Sequence, residues 1–258
     1  MTPPGVELLN PDFCPGPVRL AVFDFDGTLS LIREGWAGVM ADVGLDLFHS
    51  LGQSVDDSVR ARLELEMLGL SGHPSLTQMQ RLADLAGGGD AETLHADFLR
   101  RLLERVGGRI ADLEAGRVPP ETWAVAGSHR LLAAFQRRGI PLVLLSGTDR
   151  PSVVRELGLL GLAGFFGDRV FAPTDPGFTK RAVLEELGVT GPGLLGVGDG
   201  FAETVEVKRL GGRAVGVASH EAGVPGVNPV KRRLLAGWGA DVIVSDYAEA
   251  EALVEWLL

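Results

Sequence analysis

Short apolar runs recur along the chain, and segments with a helical spacing of apolar residues separate most of them. Runs of this length are typical of buried strands in a parallel sheet, while apolar residues three and four apart are typical of amphipathic helices. The predicted strands are VRLAVFDF from Val18, IPLVLLSG from Ile140, RVFA from Arg169, GLLGVGDG from Gly193, RAVGVA from Arg213 and ADVIVSD from Ala240. This alternation predicts an α/β fold with a doubly wound, Rossmann-like parallel sheet.

The connection after the first predicted strand is much longer than the others. Roughly 115 residues separate it from the second predicted strand, whereas later strands follow at intervals of about 20 to 30 residues. Within it, helical spacing is present in SVDDSVRARLELEMLGL, SLTQMQRLADLAGG and DAETLHADFLRRLLERVGG, each with Ser or Asp near its start. We therefore predict an α-helical domain over residues 31–118, inserted into an α/β core that comprises residues 1–30 and 119–258.

Composition and charge exclude several classes of protein. The chain of 258 residues is 45% hydrophobic, which is enough for a substantial core, and its formal net charge is −10. A nucleic-acid surface requires clustered Lys and Arg, and no basic run exceeds KRR from Lys231. No stretch approaches the roughly 18 uncharged apolar residues of a membrane helix. We therefore expect neither nucleic acid nor a membrane as a partner.

The single cysteine and the first residues bear on the location of the protein. Cys14 has no second cysteine with which to form an internal disulfide, so nothing requires an oxidising compartment. The first residues, MTPPGVELLNPDFCPGP, lack the basic region and the apolar core of a signal peptide. These observations predict a cytoplasmic protein, and the sequence does not indicate its oligomeric state.

Two carboxylates, Asp24 and Asp26, lie one residue apart at the end of the first predicted strand. Side chains alternate along a strand, so both are expected on one side, where charges about 5 Å apart repel by roughly 3 kcal/mol at an effective dielectric near 20. Asp199 and Ser146 follow two other predicted strands, and parallel sheets bind ligands beyond the carboxyl ends of their strands. A helix-capping role would explain one Asp in each loop. A divalent cation would in addition compensate the negative charge of the second carboxylate. Mg²⁺ prefers such oxygen ligands.

Four segments together resemble the motifs of the haloacid dehalogenase (HAD) superfamily. They are, in order, DFDGT from Asp24, LLSGT ending at Thr148, Lys180 before a predicted helix, and GDGFAE from Gly198. The resemblance implies the α/β core of that superfamily and, from the position of the insertion, a helical cap domain. It favours the branch that includes phosphoglycolate phosphatases and β-phosphoglucomutases.

The resemblance also implies a catalytic mechanism. Asp24 would be the nucleophile that forms an aspartyl-phosphate, and Asp26 would protonate the leaving oxygen and later activate water. Asp24, Asp199 and the backbone carbonyl of Asp26 would hold Mg²⁺ as the cofactor. Glu203 would lie in the outer shell of the metal, where the superfamily commonly has Asp. Glu206, one helical turn further, and a surface position for Glu203 are the alternatives.

Four residues would hold the phosphoryl group under the same resemblance. Ser146 and the backbone N–H of Gly147 would bind its oxygens, and Lys180 would neutralise their charge. Thr28 would belong to the turn and help to position the phosphate. A solvated lysine in the first turn of a helix is the alternative for Lys180.

Candidates for substrate contact lie in the predicted insertion. Arg33 would bind a substrate anion, Glu34 would bind hydroxyl groups and Trp36 would form an apolar wall, with a solvated helix face or a buried aromatic as equal alternatives. His73 lies in the polar loop SGHPSLTQ, where a specificity loop is expected and a surface histidine is the simpler interpretation. The segment SHEAGVPGVNPVKRR from Ser219 is interpreted as an ordinary excursion before the last strand.

The resemblance thus implies a Mg²⁺-dependent phosphatase that hydrolyses a small phosphomonoester, such as a sugar phosphate or a phosphoglycolate-like compound. A phosphosugar mutase on the same fold is one alternative, and a non-catalytic binding or regulatory protein is another. Haloacid dehalogenases lack the second Asp of the first motif, so Asp26 argues against cleavage of carbon–halogen bonds. The expected partner is a small phosphorylated molecule.

Overall fold

The computed structural model describes residues 2–220 and 224–258, and a seven-stranded sheet forms its centre. The strands are β1 (Val6–Leu8), β2 (Leu20–Phe23), β3 (Leu142–Leu145), β4 (Val170–Phe171), β5 (Leu194–Gly198), β6 (Arg213–Val217) and β7 (Val242–Val244). Their order is β1-β7-β6-β5-β2-β3-β4, in which β1 and β7 are antiparallel and the other pairs are parallel. The six predicted strands form β2 to β7, so the predicted α/β fold is confirmed.

The edge strand β1 is not predicted by the sequence pattern. It contains three residues, too few to show an alternating pattern, and it follows a Pro-rich start. Val6 pairs with Val244 and Leu8 with Val242, so β1 covers the outer backbone edge of β7. A short strand of this kind protects a sheet edge from pairing with another chain.

The order of the strands places a ligand-binding crevice beside β2. The chain runs from β2 to β3 and β4 on one side and then crosses to β5, β6 and β7 on the other. Such a reversal opens a crevice beyond the carboxyl ends of the central strands. Phe23, the last residue of β2, pairs with Val197 of β5 and with Leu144 of β3, so the loops after these three strands meet there.

Helices flank both faces of the sheet. They are α1 (Trp36–Ser50), α2 (Asp57–Leu68), α3 (Ser75–Ala86), α4 (Ala91–Glu114), α5 (Ser128–Arg137), α6 (Arg150–Leu159), α7 (Ala163–Phe166), α8 (Lys180–Glu186), α9 (Val207–Arg209), α10 (Pro229–Gly237) and α11 (Ala250–Leu257). Short 3₁₀ turns cover Pro120–Trp123 and Gly191–Gly193, and a π-helical turn, Ala202–Glu206, leads into α9. None of the helices in the described ranges is both long and apolar enough to cross a membrane.

Alternate side chains of β2 pack on opposite faces of the sheet. Ala21 and Phe23 belong to the apolar cluster that includes the buried side of α5, while Leu20 and Val22 belong to another that includes α8. The ring of Phe23 meets that of Phe135 edge-on, with centroids 5.9 Å apart. Burial on both faces explains why β2 reads as a continuous apolar run.

Five helices, α1 to α5, lie between β2 and β3 in the sequence, and the first four of them, α1 to α4, form the helical insertion. The three predicted helical patterns correspond to α2, α3 and α4, and Asp56 and Asp90 cap α2 and α4 by accepting from backbone N–H groups. The pattern does not single out α1, because buried residues occupy several of its faces. The domain boundaries at residues 31 and 118 remain a prediction.

Candidate active site

Asp24 follows β2 directly and is buried at the crevice. Its backbone N–H donates to the carbonyl of Val197 at 3.0 Å, so the end of β5 fixes its position. Its Oδ1 accepts a hydrogen bond from the N–H of Phe25 at 2.8 Å and lies 2.9 Å from Nζ of Lys180. Burial raises the pKa of Asp24 to about 6; Lys180 opposes this rise and Asp199 adds to it. The carboxylate is thus held in one orientation beside a cation.

Lys180 bridges two buried carboxylates. It is the first residue of α8, and its Nζ lies 2.9 Å from Oδ1 of Asp24 and 2.9 Å from Oε1 of Glu203. Burial disfavours the ammonium charge, but the two carboxylates raise the pKa of Lys180 above its ordinary value. Burial raises the pKa of Glu203 to about 8, and repulsion from Asp24 adds to the rise. Lys180 is therefore a buried, paired cation and not a solvated one.

The π-helical turn Ala202–Glu206 carries Glu203 into the site. Glu203 is buried, whereas Glu206 accepts from Nε of Arg209 at 2.8 Å on the outer side of the helix. Oε2 of Glu203 is buried without a hydrogen-bond partner. Turns of this kind are rare and occur frequently at functional sites. Of the two acidic residues that the sequence left open, Glu203 is the one placed beside Lys180.

Asp26 lies in a different environment from Asp24. Because β2 ends before Asp24, the alternation that predicted a common side for the two carboxylates does not extend to Asp26. Its Oδ2 accepts a hydrogen bond from Oγ1 of Thr148 at 2.7 Å, while Oδ1 is buried without a partner. Burial raises the pKa of Asp26 to about 6; attraction to Arg33 opposes this rise and repulsion from Glu156 adds to it. Burial, and not the expected repulsion between Asp24 and Asp26, thus has the largest effect on the pKa of both carboxyl groups.

Asp199 lies at the carboxyl end of β5 and contacts a second lysine. Its backbone N–H donates to Oγ1 of Thr28 at 3.0 Å, and its Oδ2 lies 2.9 Å from Nζ of Lys231. Lys231, in the first turn of α10, also donates to Oγ of Ser219 at 3.3 Å. The hydroxyl of Thr28 thus positions Asp199, while contact of Thr28 with phosphate remains a prediction.

Gly27 allows Asp199 to pack against the loop that follows β2. Its φ of 73° lies in the left-handed region that favours glycine. A Cβ atom at this position would lie 2.1 Å from Oδ2 of Asp199 and 2.9 Å from Nζ of Lys231. Any side chain at residue 27 would therefore displace the carboxylate.

Ser146 and Gly147 form the loop after β3. Ser146 is fully buried, and its Oγ accepts a hydrogen bond from the N–H of Thr148 at 3.0 Å. A Cβ atom on Gly147 would lie 3.3 Å from the backbone oxygen of His73, so the helical insertion contacts this loop. Phosphate binding by Ser146 and Gly147 remains a prediction, since the hydroxyl of Ser146 already stabilises the loop.

Arg33 is paired with the protein itself, in contrast to its expected role in binding a substrate anion. Its Nε and Nη2 donate to Oε1 of Glu156 on α6 at 3.0 Å and 2.7 Å. Both side chains are buried, so water does not compete for this contact. The pair joins the segment that enters the helical insertion to the α/β core.

The other candidates from the insertion occupy different positions. Trp36 and His73 line the cavity between the crevice and the helical insertion, while Glu34 is not among the described residues that line it. The ring of His73 lies 5.6 Å from that of Phe201, and burial lowers the pKa of His73, with Lys180 adding to the effect. Trp36 and His73 thus lie where a substrate could contact them, while the predicted apolar wall at Trp36, hydroxyl binding by Glu34 and the specificity role of His73 remain predictions.

A cavity of about 490 Å³ connects the crevice with the helical insertion. Its lining includes, on the side of the sheet, Asp24, Asp26, Gly147, Thr148 and Asp199. The volume lies in the range of small-molecule sites, which is roughly 300–1,000 Å³. The predicted catalytic carboxylates therefore line the same cavity as the helical insertion.

The oxygen atoms that the site residues present to this cavity fit part of the coordination shell of Mg²⁺. Among residues 2–220 and 224–258, no group of three or more His, Cys, Asp or Glu side chains is arranged to hold a metal by itself. Asp24 and Asp199 are near enough to repel each other, and Asp26 carries a buried carboxylate oxygen without a partner. Mg²⁺ uses one or two carboxylates and completes its octahedron with carbonyl, water or phosphate oxygens. The carboxylates of Asp24 and Asp199 match that requirement, and the carbonyl of Asp26 as a further ligand remains a prediction.

Lys231 and Thr148 contact the predicted site, although the sequence did not assign them to it. The segment from Ser219, predicted as an ordinary excursion, includes residues 221–223, which lie outside the described residues, but it also contains the start of α10 and therefore Lys231. The chain has three lysines, and Lys180 and Lys231 are both buried against site carboxylates. Their rarity beside many arginines is the signal that could have identified Lys231.

A family model describes the same part of the chain. Residues 18–206 match the haloacid dehalogenase-like hydrolases, and the match spans most of the 258 residues. The chain belongs to this family of hydrolases, as its four motifs predict. A comparison with curated proteins found no match.

Solved structures share the fold. A HAD family hydrolase from Deinococcus radiodurans R1, with bound phosphate and sodium, is 20% identical with a TM-score of 0.55 over 92% of this chain and 95% of that one. CbbY from Rhodobacter sphaeroides, in complex with phosphate, is 21% identical with a TM-score of 0.57 over 93% and 100%. A hydrolase from Pseudomonas syringae is 14% identical with a TM-score of 0.61 over 93% and 97%. At these identities the similarity establishes the fold alone.

Proposed function

We propose that this chain is a Mg²⁺-dependent phosphatase that hydrolyses a small phosphomonoester through a phosphorylated Asp24. The observation that carries the proposal is the buried 2.9 Å contact between Asp24 and Lys180 at the carboxyl end of the central strand. It brings a nucleophile and a charge-neutralising cation together at the cavity. Membership of a hydrolase family supports the same chemistry.

In the first step, an oxygen of the Asp24 carboxylate attacks phosphorus, and the bond between phosphorus and the ester oxygen breaks. Asp26 donates its proton to that oxygen, so the alcohol leaves and Asp24 remains phosphorylated. Thr148 holds one oxygen of Asp26, and the other is buried without a protein partner, which supports this role.

In the second step, water attacks phosphorus, the bond to Asp24 breaks, and Asp26 accepts the proton of the water. Lys180 and the loop at Ser146 and Gly147 would neutralise and hold the phosphoryl oxygens in both steps. One phosphomonoester and one water thus give one alcohol and one inorganic phosphate, and both carboxyl groups return to their starting states.

The remaining groups would prepare the site. Asp24, Asp199 and the carbonyl of Asp26 would hold Mg²⁺, which when bound supplies positive charge for the phosphoryl oxygens. Glu203 would orient Lys180, and the helical insertion, with boundaries at residues 31 and 118, would act as a cap that excludes water. The predicted cytoplasmic location belongs to this proposal. For the alcohol part of the substrate, the sequence resemblance favours a sugar phosphate or a phosphoglycolate-like compound.

A phosphate-release screen over small phosphomonoesters, run with Mg²⁺ and with EDTA, tests the proposal. We expect Mg²⁺-dependent release that falls at least about 10³-fold in Asp24→Asn, because the amide is not a nucleophile. Asp12→Asn, at an exposed position near the start of the chain, is the matched control and should retain activity. Equal release by Asp24→Asn and the wild type, or release from no substrate, would contradict the proposal. A bisphosphate intermediate in place of free phosphate would indicate the mutase.

A further inference from the structure

The helical insertion lines its part of the cavity mainly with apolar side chains. They come from α1, α3 and α4 and are Trp36, Met40, Leu76, Phe98, Leu99 and Leu102. The same cavity is lined on the side of the sheet by the carboxylates of Asp24 and Asp199. A phosphoryl group beside these carboxylates would place the rest of the substrate among apolar surroundings.

Most of the polar side chains that line this part of the cavity already have hydrogen-bond partners within the described part of the protein; His73 is the exception, and its ring packs near that of Phe201. Arg33 donates to Glu156, and Oγ of Ser75 lies 2.7 Å from Nε2 of His95. The amide nitrogen of Gln78 donates to two backbone carbonyls, at 3.1 Å and 3.4 Å. A substrate hydroxyl group that enters here would have to compete with these contacts.

A hydroxylated alcohol and an apolar alcohol should therefore bind in this cavity with different affinities. Each hydroxyl group that loses water without gaining a partner weakens binding by about tenfold or more. Each methylene group buried against apolar side chains strengthens binding by about fourfold. The cavity thus disfavours a polyol and favours a hydrocarbon of the same length.

We propose that the site selects phosphomonoesters of apolar alcohols, alkyl or aromatic, over phosphorylated sugars and polyols. This inference rests on the proposed phosphatase function and replaces the hydroxylated leaving group that the sequence resemblance favours. The phosphoryl group lies at the sheet, and the apolar part of the alcohol contacts α1, α3 and α4.

Pairs of substrates matched in carbon number test the selectivity. Release of phosphate with Mg²⁺ is measured for propyl phosphate against glycerol 3-phosphate and for hexyl phosphate against sorbitol 6-phosphate. We expect kcat/KM to rise along the alkyl series, and hexyl phosphate to exceed sorbitol 6-phosphate at least about tenfold. Faster release from the polyol phosphates, or no effect of alkyl length, would overturn the inference and leave the phosphatase function intact.

Binding of phosphonates separates this inference from the phosphatase function. Calorimetric titration with methylphosphonate and hexylphosphonate requires no turnover, and we expect the hexyl compound to bind at least about tenfold more tightly. If no ester releases phosphate but hexylphosphonate binds more tightly, the phosphatase proposal fails and the apolar selectivity is supported. Equal binding of the two phosphonates overturns the apolar selectivity.

Substitutions on α3 and α4 locate the apolar contact. Leu76→Gln and Leu99→Gln change residues that line the cavity and are partly exposed, so neither creates a fully buried polar group. Each should lower kcat/KM for hexyl phosphate about tenfold and leave that for propyl phosphate within about twofold. Leu103→Gln, at a residue of α4 that is 53% exposed, is the matched control and should change neither. Equal effects of all three variants would contradict the assignment.

Discussion

The ammonium nitrogen of Lys231 lies 2.9 Å from Oδ2 of Asp199, and both side chains are buried. Lys180 makes the corresponding contact with Asp24 at the same distance. Each of the two carboxylates that would hold a cation is therefore paired with its own lysine. The two lysines thus offset part of the negative charge of the crevice within the protein itself.

Replacement of Lys231 by methionine should make stability depend more strongly on Mg²⁺. The variant leaves the Asp199 carboxylate buried without its ammonium partner, which lowers the free energy of unfolding by about 3 kcal/mol. Under the proposed function Mg²⁺ would bind the released carboxylate, so its addition should restore more stability to Lys231→Met than it adds to the wild type. Urea titrations with and without MgCl₂ measure both effects.

Lys208→Met is the control for this prediction. Lys208 lies 2.6 Å from the buried carboxylate of Asp241, so its loss also breaks an ion pair, but one outside the cavity lining described. We expect destabilisation that Mg²⁺ does not reverse. An equal response of both variants to Mg²⁺ would show that Lys231 has no special relation to the metal site.

Gly27→Ala should reduce activity through displacement of Asp199. The new Cβ would lie 2.1 Å from Oδ2 of Asp199, so kcat should fall at least about 10²-fold. Gly52→Ala is a matched control, because Gly52 has nearly the same φ, 72°, and a Cβ there meets no atom within 4 Å. It should cost only the backbone strain of about 1 kcal/mol and leave kcat unchanged. Similar kcat values for both variants would contradict this explanation.

The ion pair of Arg33 and Glu156 should contribute to stability and not to anion binding. Arg33→Met leaves a buried carboxylate unpaired and should lower the free energy of unfolding by about 3 kcal/mol or more. The double variant with Glu156→Met should recover most of this loss, because two apolar side chains replace the pair. Chemical denaturation of the two single variants and the double variant measures the coupling. Additive losses would contradict it, and Arg100→Met, at an exposed pair, should change little.

Stability of the metal-free protein should fall as pH rises. Burial raises the pKa of Asp24 and Asp26 from 3.8 to about 6 and that of Glu203 from 4.5 to about 8. Between the ordinary and the raised values, the folded protein retains protons that the unfolded chain releases, so a rise in pH favours unfolding. In EDTA we expect the free energy of unfolding to be lower at pH 8 than at pH 5.5 by at least about 1 kcal/mol.

Glu203→Gln provides the control for this pH dependence. The amide does not titrate, so the difference between pH 5.5 and pH 8 should become smaller. Urea titrations in EDTA at both pH values measure it. A wild-type protein whose stability rises over this interval, or a variant with an unchanged pH dependence, would show that Glu203 does not retain its proton on folding.

The sequence predicts the sheet well because its strands are buried on both faces. Burial makes most positions of β2 to β7 apolar, and a pattern of residue types detects such runs directly. The edge strand β1 has three partly exposed residues and no such run, so its existence depends on the distant partner β7. α1 likewise has only a narrow exposed face, around Asp42, Asp46 and His49, because α2, α3 and α4 all pack against it.

The candidate site is predictable where each residue follows a strand or begins a helix. Asp24, Lys180 and Asp199 have such positions, and the fold brings them to one crevice. The partner of Arg33 is Glu156, 123 residues later, and that of Asp199 is Lys231 on a separate helix. Contacts of this kind depend on how two elements pack, which the local pattern of neither element contains.

The position of Glu203 depends on how many residues the π-helical turn Ala202–Glu206 contains, as well as on their types. Each residue of an α-helix turns the chain by about 100°. Removal of one residue from this turn would give a regular helix and rotate Glu203 by that angle relative to α9, away from Lys180. The length of this turn thus determines where the carboxylate of Glu203 lies, and a deletion in the turn would be more damaging than most substitutions.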